Sequence, residues 1–498
     1  MPARPHLMAK ILFSLFVAAA AFCIVALDFG ITGKWERKQH GLWMSYSRTG
    51  DQLIAEANFD DAYKAYRQGL TIAESLAAAD RANTSWANVL WVSHIKIGNV
   101  LLAEGHLEYA LKAYRDGLAI VEHLAATDHN NNDIVWQINL MELYEKTGDL
   151  LVKLRRFDEA LQAYSEDLAI AKRLIADRIE GEWQSRLSSS YIKAGNLLLA
   201  QSKLDDAIAH YHDSVAVAKR FATKSNDTIQ EQRNLVLSLH KIGDAQVMKG
   251  KLSDAVLAYH ESLAIAERIA ATDHNDGAWQ KYLFLSYMKL GNLLVKKGDL
   301  PEALSAYRHS LGSAERLAAA ASNNAGWQRS ISVLHVKIGN VLSVQGKLDD
   351  ALKAYRNSLA IAQRLATVGD NTQRQRDLSA SYVKVGNGLL AKGNFSEAFK
   401  AYSQSLTIAQ RLVAADRNNT QHQRDLIVSY EKVGEVLVMQ GKTDDALKVY
   451  RDSFALAERL AATDSSNMEL DHDVPASYIS FIEPPLAQIT QIALTTFP

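Results

Sequence analysis

The stretch KIGNVLLAEGHLEYALKAY, residues 96–114, decides the fold because its pattern recurs along the whole chain. Its defining residues are Gly98, Ala110 and Tyr114. The same three residue types, with the same spacing, recur nine times, 47 to 50 residues apart and without exception. The glycines are Gly50, Gly98, Gly148, Gly195, Gly243, Gly291, Gly339, Gly386 and Gly434. Self-similarity at a fixed period predicts one supersecondary unit repeated nine times.

Each repeat has the pattern of a helical hairpin. Apolar residues before and after Gly98 recur at steps of three and four, which predicts an amphipathic helix of about 18 residues. In six repeats a second glycine then marks the helix end: Gly105, Gly250, Gly298, Gly346, Gly393 and Gly441. A second helix rich in Ala and Leu follows, and a run of Asn and Asp residues ends it. No alternating strand pattern is present, so the predicted fold class is all-α.

The order of Leu or Ile before the repeat glycine, then a small residue, then an aromatic residue one helical turn later resembles the tetratricopeptide repeat family. The resemblance implies an α-solenoid, a right-handed superhelix of nine helical hairpins, with a peptide-binding concave groove. Each repeat here has about 48 residues instead of the usual 34 or so, which corresponds to about two extra turns on each helix. The family's usual proline at the end of the second helix is absent.

The sequence divides into three predicted segments: residues 1–33, a solenoid over residues 34–464, and a tail over residues 465–498. The tail has no tenth Gly-Ala-Tyr set and holds four of the seven prolines. It is interpreted either as a cap on the last apolar face of the solenoid or as a disordered extension.

The first segment contains an uninterrupted run without a charge, Ile11 to Leu27. No convincing small-x-small cleavage site follows this run, so an uncleaved membrane anchor is the first interpretation, ahead of a cleaved signal and of a buried terminal helix. This interpretation predicts a single-pass membrane protein. Basic residues flank the run on both sides and leave the orientation open, although a periplasmic or extracytoplasmic placement of the repeats is favoured.

Composition limits the partners and the chemistry. The 55 Lys and Arg residues balance 56 Asp and Glu residues, which argues against a nucleic-acid partner because such a partner normally requires a basic face. The single cysteine, Cys23, excludes disulfides and Cys-based metal sites within one chain. No phosphate loop, nucleophile motif or metal-binding motif occurs. We therefore expect no enzyme activity, no cofactor and no metal.

One polar pattern recurs beside the repeat glycines. A basic residue precedes each glycine by two positions, and a short polar or acidic residue follows it, which places the two on one helical face. We call this series the polar ladder. If the family resemblance holds, the ladder lines the concave groove and its Lys and Asn residues contact a ligand. The candidate binding residues are Lys96, Asn99, Lys193, Asn196, Lys289, Asn292, Lys337, Asn340, Lys384 and Asn387. The alternative is that these residues only satisfy one another within or between repeats.

The predicted function is a membrane-anchored scaffold that binds a peptide or protein partner on the concave face. Long, regular solenoids present a surface that suits extended ligands. A structural protein that self-associates through its outer face or its open end is the alternative. A component that recruits an enzyme is a third possibility.

Overall fold

The computed structural model describes residues 33–127, 133–176, 183–221, 228–271, 277–321, 324–368 and 371–463. These residues form 18 α-helices and contain no strand. Within each of the two compact units of the chain, helices that follow one another in sequence pack together, and the second helix of one pair packs on the first helix of the next. The prediction of an all-α solenoid built from helical hairpins is confirmed.

The two compact units are Met1–Lys251 and Leu252–Pro498. In the first unit the helices are α1 (Lys34–Ala55), α2 (Phe59–Ala79), α3 (Thr84–Glu104), α4 (Leu107–Thr127), α5 (Asp133–Lys153), α6 (Phe157–Ala176), α7 (Trp183–Ala200), α8 (Leu204–Phe221) and α9 (Thr228–Met248). In the second unit they are α10 (Leu252–Ala270), α11 (Gly277–Lys297), α12 (Leu300–Ala320), α13 (Ala325–Val344), α14 (Leu348–Ala366), α15 (Thr372–Ala391), α16 (Phe395–Ala415), α17 (Thr420–Met439) and α18 (Thr443–Thr463).

Every first helix of a pair is followed by a residue in the left-handed conformation. Six of these residues are the glycines expected from the sequence, with φ between 73° and 85°. In the other three repeats Ala57, Arg155 and Ser202 occupy the same position with φ of 59°, 58° and 61°. L-residues other than glycine adopt this conformation at a cost of about 1–2 kcal/mol. The hairpin geometry therefore imposes the turn even where the sequence lacks glycine.

In eight helix pairs the repeat glycine lies against the repeat tyrosine, and the repeat alanine is buried. A Cβ atom built on Gly386 would lie 2.3 Å from Cε1 of Tyr402, and eight of the nine repeat glycines show the same approach at 2.3–2.7 Å. The matching alanines are at most 1% exposed. A side chain larger than hydrogen at the glycine would therefore displace the tyrosine ring, which explains why this position does not vary along the chain.

The structure corrects the predicted single-pass membrane localisation. No helix among the described residues is long and apolar enough to cross a bilayer. The physical reason is that these helices keep one polar face: α13, for example, carries the exposed Arg329 and Asn340. The predicted anchor, Ile11 to Leu27, and the tail from Ser465 lie outside the described residues. The predicted segment boundaries stay predictions.

Candidate functional site

In seven repeats of the polar ladder, the residue after the repeat glycine accepts a hydrogen bond from the tyrosine of its own helix pair. Tyr355 donates through Oη to Asn340 Oδ1 at 3.0 Å, and Tyr66 donates to Asp51 Oδ1 at 2.6 Å. The same bond joins Tyr114 to Asn99 (2.7 Å), Tyr164 to Asp149 (2.7 Å), Tyr211 to Asn196 (3.0 Å), Tyr307 to Asn292 (2.9 Å) and Tyr402 to Asn387 (2.8 Å). Because Asp and Asn both accept this bond, the residue type at this position is free to set the local charge.

In the first unit, Lys96 and Lys193 pair with carboxylates of the preceding helix pair, whereas Lys146 Nζ lies 3.5 Å from Glu142 Oε1 of its own helix. Lys96 Nζ lies 2.5 Å from Asp51 Oδ1. Lys193 Nζ lies 2.7 Å from Asp149 Oδ2 and 2.6 Å from Glu145 Oε1. Burial alone would lower the pKa of Lys193, but Glu145 and Asp149 outweigh it and raise the pKa. The positive charges of Lys96 and Lys193 are thus neutralised within the repeats.

In the second unit, two ladder lysines face asparagine instead of a carboxylate. Lys337 Nζ donates to Asn292 Oδ1 of the preceding helix pair at 2.8 Å. For Lys384, the corresponding residue is Asn340, and Lys384 forms no hydrogen bond or ion pair with any described residue. Lys289 lies 5.9 Å from the ring centroid of Tyr259. Two half-buried cations, Lys337 and Lys384, therefore have no carboxylate partner in the described part of the ladder.

The structure brings three predicted binding residues, Lys337, Asn340 and Lys384, to one cavity of about 320 Å³. The cavity lies among α13, α14 and α15, and its volume falls within the range of about 300–1,000 Å³ that is typical of ligand sites. Its apolar lining comes from Val333, Val336, Ala362, Leu365 and Ala380. The other seven predicted binding residues do not line this cavity, although they hold the equivalent ladder positions of their own helix pairs.

The cavity is lined by more positive than negative charge. Arg329, Lys337, Arg374 and Lys384 line it, whereas Asp377 is the one carboxylate among its lining residues. Arg329 holds that carboxylate through two bonds, Nε to Oδ2 at 2.5 Å and Nη2 to Oδ1 at 3.0 Å. Asp377 is therefore already paired and does not neutralise the lysines.

The two lysines are partly desolvated. Burial lowers the pKa of Lys337, and burial together with the charge of Lys432 lowers the pKa of Lys384. A bound anion offsets such desolvation because it stabilises the charged form of each lysine. The cavity is thus suited to a ligand that combines apolar surface with a carboxylate or another anionic group.

Two features of this face were missed in the sequence. An Arg–Asp pair joins successive helix pairs: Arg329 to Asp377, and Arg376 Nε to Asp425 Oδ2 at 2.5 Å. The signal for it was the Arg-Asp dipeptide at 376–377 and again at 424–425. Buried serines form a second recurrent series, in which Ser332 Oγ lies 2.8 Å from Ser358 Oγ. Its signal was a serine five or seven residues before many repeat glycines.

The described residues include no group of three or more His, Cys, Asp or Glu side chains that could hold a metal ion. The sequence-based expectations of no enzyme activity and no cofactor stay predictions.

Searches with protein-family models and among curated proteins gave no match. Among solved structures, BtubC (BKLC) from P. vanneervenii is 20% identical over 53% of this chain and 93% of that chain, with a TM-score of 0.40. A putative kinesin light chain with TPR-like repeats from Podosopora anserina is 15% identical over 47% and 99%, with a TM-score of 0.37. Aspartyl phosphate phosphatase F from Bacillus subtilis is 12% identical over 77% and 96%, with a TM-score of 0.39. The chain is similar to these proteins at low identity.

Proposed function

We propose that this protein is an interaction scaffold that binds an extended, acidic segment of a partner protein along the polar ladder of its second unit. The observation that carries the proposal is a difference between individual lysines of the ladder. Lys96 and Lys193 are neutralised by carboxylates, whereas Lys337 donates to an asparagine and Lys384 has no partner among the described residues. Uncompensated lysines at one place on a regular surface favour an anionic ligand.

The asparagines of the same helices supply a second kind of contact. Asn340 and Asn387 each accept a tyrosine hydrogen bond through Oδ1, and their amide nitrogens donate to no described residue. A side-chain amide has two N–H donors. These donors suit the carbonyl oxygens of an extended peptide backbone, while Lys337 and Lys384 suit its carboxylates.

The test uses the full chain and a dye-labelled decapeptide of alternating Glu and Ala. We expect Lys337→Glu with Lys384→Glu to weaken its binding at least tenfold in fluorescence anisotropy, because two attractive contacts become repulsive. The matched control is Lys347→Glu with Lys448→Glu, which makes the same change in net charge at positions of the second unit outside the cavity. Equal losses in both double variants would show that only net charge matters and would contradict the proposal.

Self-association through the outer face or the open end is supported by no contact described here and stays a prediction. Light scattering of the purified chain without ligand measures it directly. A stable oligomer would favour this alternative, whereas a monomer that binds the acidic decapeptide would favour the scaffold.

A further inference from the structure

Two positions, one in each of two successive helix pairs, change together along the chain. The first lies two helical turns before a repeat glycine, as Phe284 does before Gly291, and the second opens the next pair's first helix, as Trp327 does before Gly339. Five of the eight successive combinations are a large apolar residue followed by Trp: Trp43 and Trp86, Trp91 and Trp136, Met141 and Trp183, Val236 and Trp279, Phe284 and Trp327. The other three are Ser followed by an ionisable residue: Ser188 and Glu231, Ser332 and Arg374, Ser379 and His422. The loss of the large residue thus coincides with the loss of Trp.

The cavity of the second unit lies at a place where the combination of an apolar residue with Trp is missing. One helix pair earlier, Phe284 and Trp327 fill the corresponding space with an edge-to-face contact, with ring centroids 5.4 Å apart. Ser332 and Arg374 hold these two positions at the cavity, and both line it. Arg374 donates to the carbonyl of Val368. The cavity therefore corresponds to the space that two aromatic rings occupy in the neighbouring repeat.

The first helix pair shows how an indole is held in this space. Trp43 Nε1 donates to Ser93 Oγ at 2.8 Å, and Ser93 Oγ donates to the Val89 carbonyl at 2.8 Å. Ser381 is the equivalent of Ser93, since each lies five residues before its repeat glycine. Ser381 likewise donates to the carbonyl four residues earlier, at 2.8 Å, and lines the cavity. Ser358 Oγ lies 3.4 Å from Ser381 Oγ, but a hydroxyl oxygen has two acceptor lone pairs, so Ser381 Oγ can still accept an indole N–H.

The serine at the back of the cavity does not exclude a ring. Trp43 lies against Gly69, whose equivalent beside the cavity is Ser358. A Cβ atom on Gly69 would lie 3.6 Å from Trp43 Cδ1 and 3.9 Å from Nε1, which is ordinary van der Waals contact. The Cβ atom of Ser358 therefore leaves room for the indole, and the Ser358 hydroxyl lies 2.8 Å from Ser332 Oγ.

We propose that the cavity among α13, α14 and α15 binds a tryptophan side chain of the partner, with its indole N–H donated to Ser381 Oγ and with acidic residues beside it facing Lys337 and Lys384. The inference rests on the proposed function, because it names a side chain of the segment that the ladder binds. It explains why the apolar lining and the two unneutralised lysines occur at the same place.

The first test compares three blocked, dye-labelled pentapeptides, Glu-Glu-X-Glu-Glu, in which X is Trp, Phe or Ala. With the full chain we expect the Trp peptide to bind at least tenfold more tightly than the Ala peptide. The Phe peptide should bind about fivefold more weakly than the Trp peptide, as expected for the loss of one neutral hydrogen bond. Equal affinities for all three peptides would overturn the inference.

Variants then locate the site. Ser381→Ala should weaken binding of the Trp peptide about fivefold and leave binding of the Phe peptide unchanged. Ser429→Ala, at the equivalent position one repeat later, should change neither affinity. Ser332→Phe with Arg374→Trp restores the neighbouring repeat's combination and fills the cavity, so the preference for Trp over Ala should disappear. A Trp preference that survives both the filling and Ser381→Ala would place the indole elsewhere and overturn the inference.

The proposed function and this inference fail differently. Suppose that Lys337→Glu with Lys384→Glu weakens binding of all three peptides while the wild type shows no preference for Trp. The proposed acidic-ligand site is then supported and the proposed indole subsite is wrong. If no acidic peptide binds, the neutral ligand N-acetyltryptophanamide still tests the cavity by saturation-transfer NMR. Its binding to wild type and loss in the filled variant would support the subsite. Absence of binding to wild type would overturn the inference.

Discussion

The ring of Tyr355 lies between the backbones of two successive helix pairs. A Cβ atom on Gly339 of its own pair would lie 2.5 Å from Tyr355 Cε1, and one on Gly388 of the next pair would lie 3.1 Å from Cδ2. The hydroxyl of the same ring donates to Asn340. Tyr355 thus links the packing of the repeats to the ladder residue that faces the candidate site.

Gly339→Ala should destabilise the second unit by about 1–3 kcal/mol, because the new methyl group forces the Tyr355 ring out of a close-packed position. Urea denaturation followed by circular dichroism measures the loss. The matched control is Gly312→Ala in α12, where a Cβ atom would meet only Arg316 Nη1 at 3.9 Å. This control should gain about 0.5–1 kcal/mol, as is usual when Ala replaces Gly inside a helix. Similar changes in both variants would show that the Gly–Tyr contact does not limit packing.

Ser202→Gly should stabilise the first unit by about 1 kcal/mol, since Ser202 is held at φ 61° and glycine adopts this conformation without steric cost. The reverse change at the equivalent turn, Gly250→Ala, should cost a similar amount, because Gly250 has φ 75° while the space around its Cα is open. Both are measured as shifts of the urea midpoint. A destabilised Ser202→Gly variant would indicate that this side chain stabilises the turn by some other means.

The two classes of ladder lysine should differ in their contribution to stability. Lys193→Met removes a cation held by Glu145 and Asp149 and leaves two carboxylates close together, so we expect a loss of about 1 kcal/mol that decreases at high salt. Lys384→Met removes a half-buried cation that has no partner among the described residues, and it should change stability by less than about 0.5 kcal/mol. A larger loss for Lys384→Met would show that this lysine has a structural role.

Asp167 should make the first unit less stable as pH rises. Burial raises its pKa from 3.8 to about 6, with Ser190, Arg186 and Lys193 lowering it and Glu145 raising it. The folded state therefore binds a proton more tightly than the unfolded state, so stability declines as pH rises from about 4 to about 6 and is level above that. The decline amounts to about 2–3 kcal/mol at the conversion of about 1.36 kcal/mol per pKa unit.

Asp167→Ser, which introduces the residue found at this position in every later repeat, should remove that decline and stabilise the unit at pH 7. At pH 4 the variant and wild type should differ little, because Asp167 is then largely protonated. Urea denaturation at a series of pH values measures the difference. As a control, Ser214→Asp places a carboxyl at the equivalent position of the next helix pair and should introduce a decline of the same sign. Parallel pH profiles for wild type and Asp167→Ser would contradict the assignment.

The fold was predictable because the packing of each repeat depends on residues that cannot vary. Gly386 lies against the Tyr402 ring and Ala398 is fully buried, so substitution of any of them disturbs the packing, and the same three residue types occur in every repeat. The left-handed turns were predicted only where glycine holds them. At Arg155 and Ser202 the packing of the two helices imposes the conformation, and no local signal in the sequence shows it.

The candidate site was only partly predictable. The sequence placed Lys337 with Asn340, and Lys384 with Asn387, on one face of their helices. It did not show that Lys96 pairs with Asp51 whereas Lys337 donates to Asn292, because these contacts join residues about 45 positions apart. The cavity was not foreseen because it arises from side chains that are missing. Only the comparison of Ser332 and Arg374 with Phe284 and Trp327 in the folded chain reveals it.

The hydrogen bond from the repeat tyrosine tolerates either Asp or Asn, as Tyr66 with Asp51 and Tyr114 with Asn99 show. One residue per repeat can therefore change the charge that the next repeat's lysine presents while the packing of the helices is kept. Duplication of a repeat that has Asn after its glycine would add one lysine that faces Asn in place of a carboxylate. A single Asn-to-Asp change would neutralise one such lysine. The specificity of such a surface can thus evolve, or be engineered, separately from the stability of the scaffold that carries it.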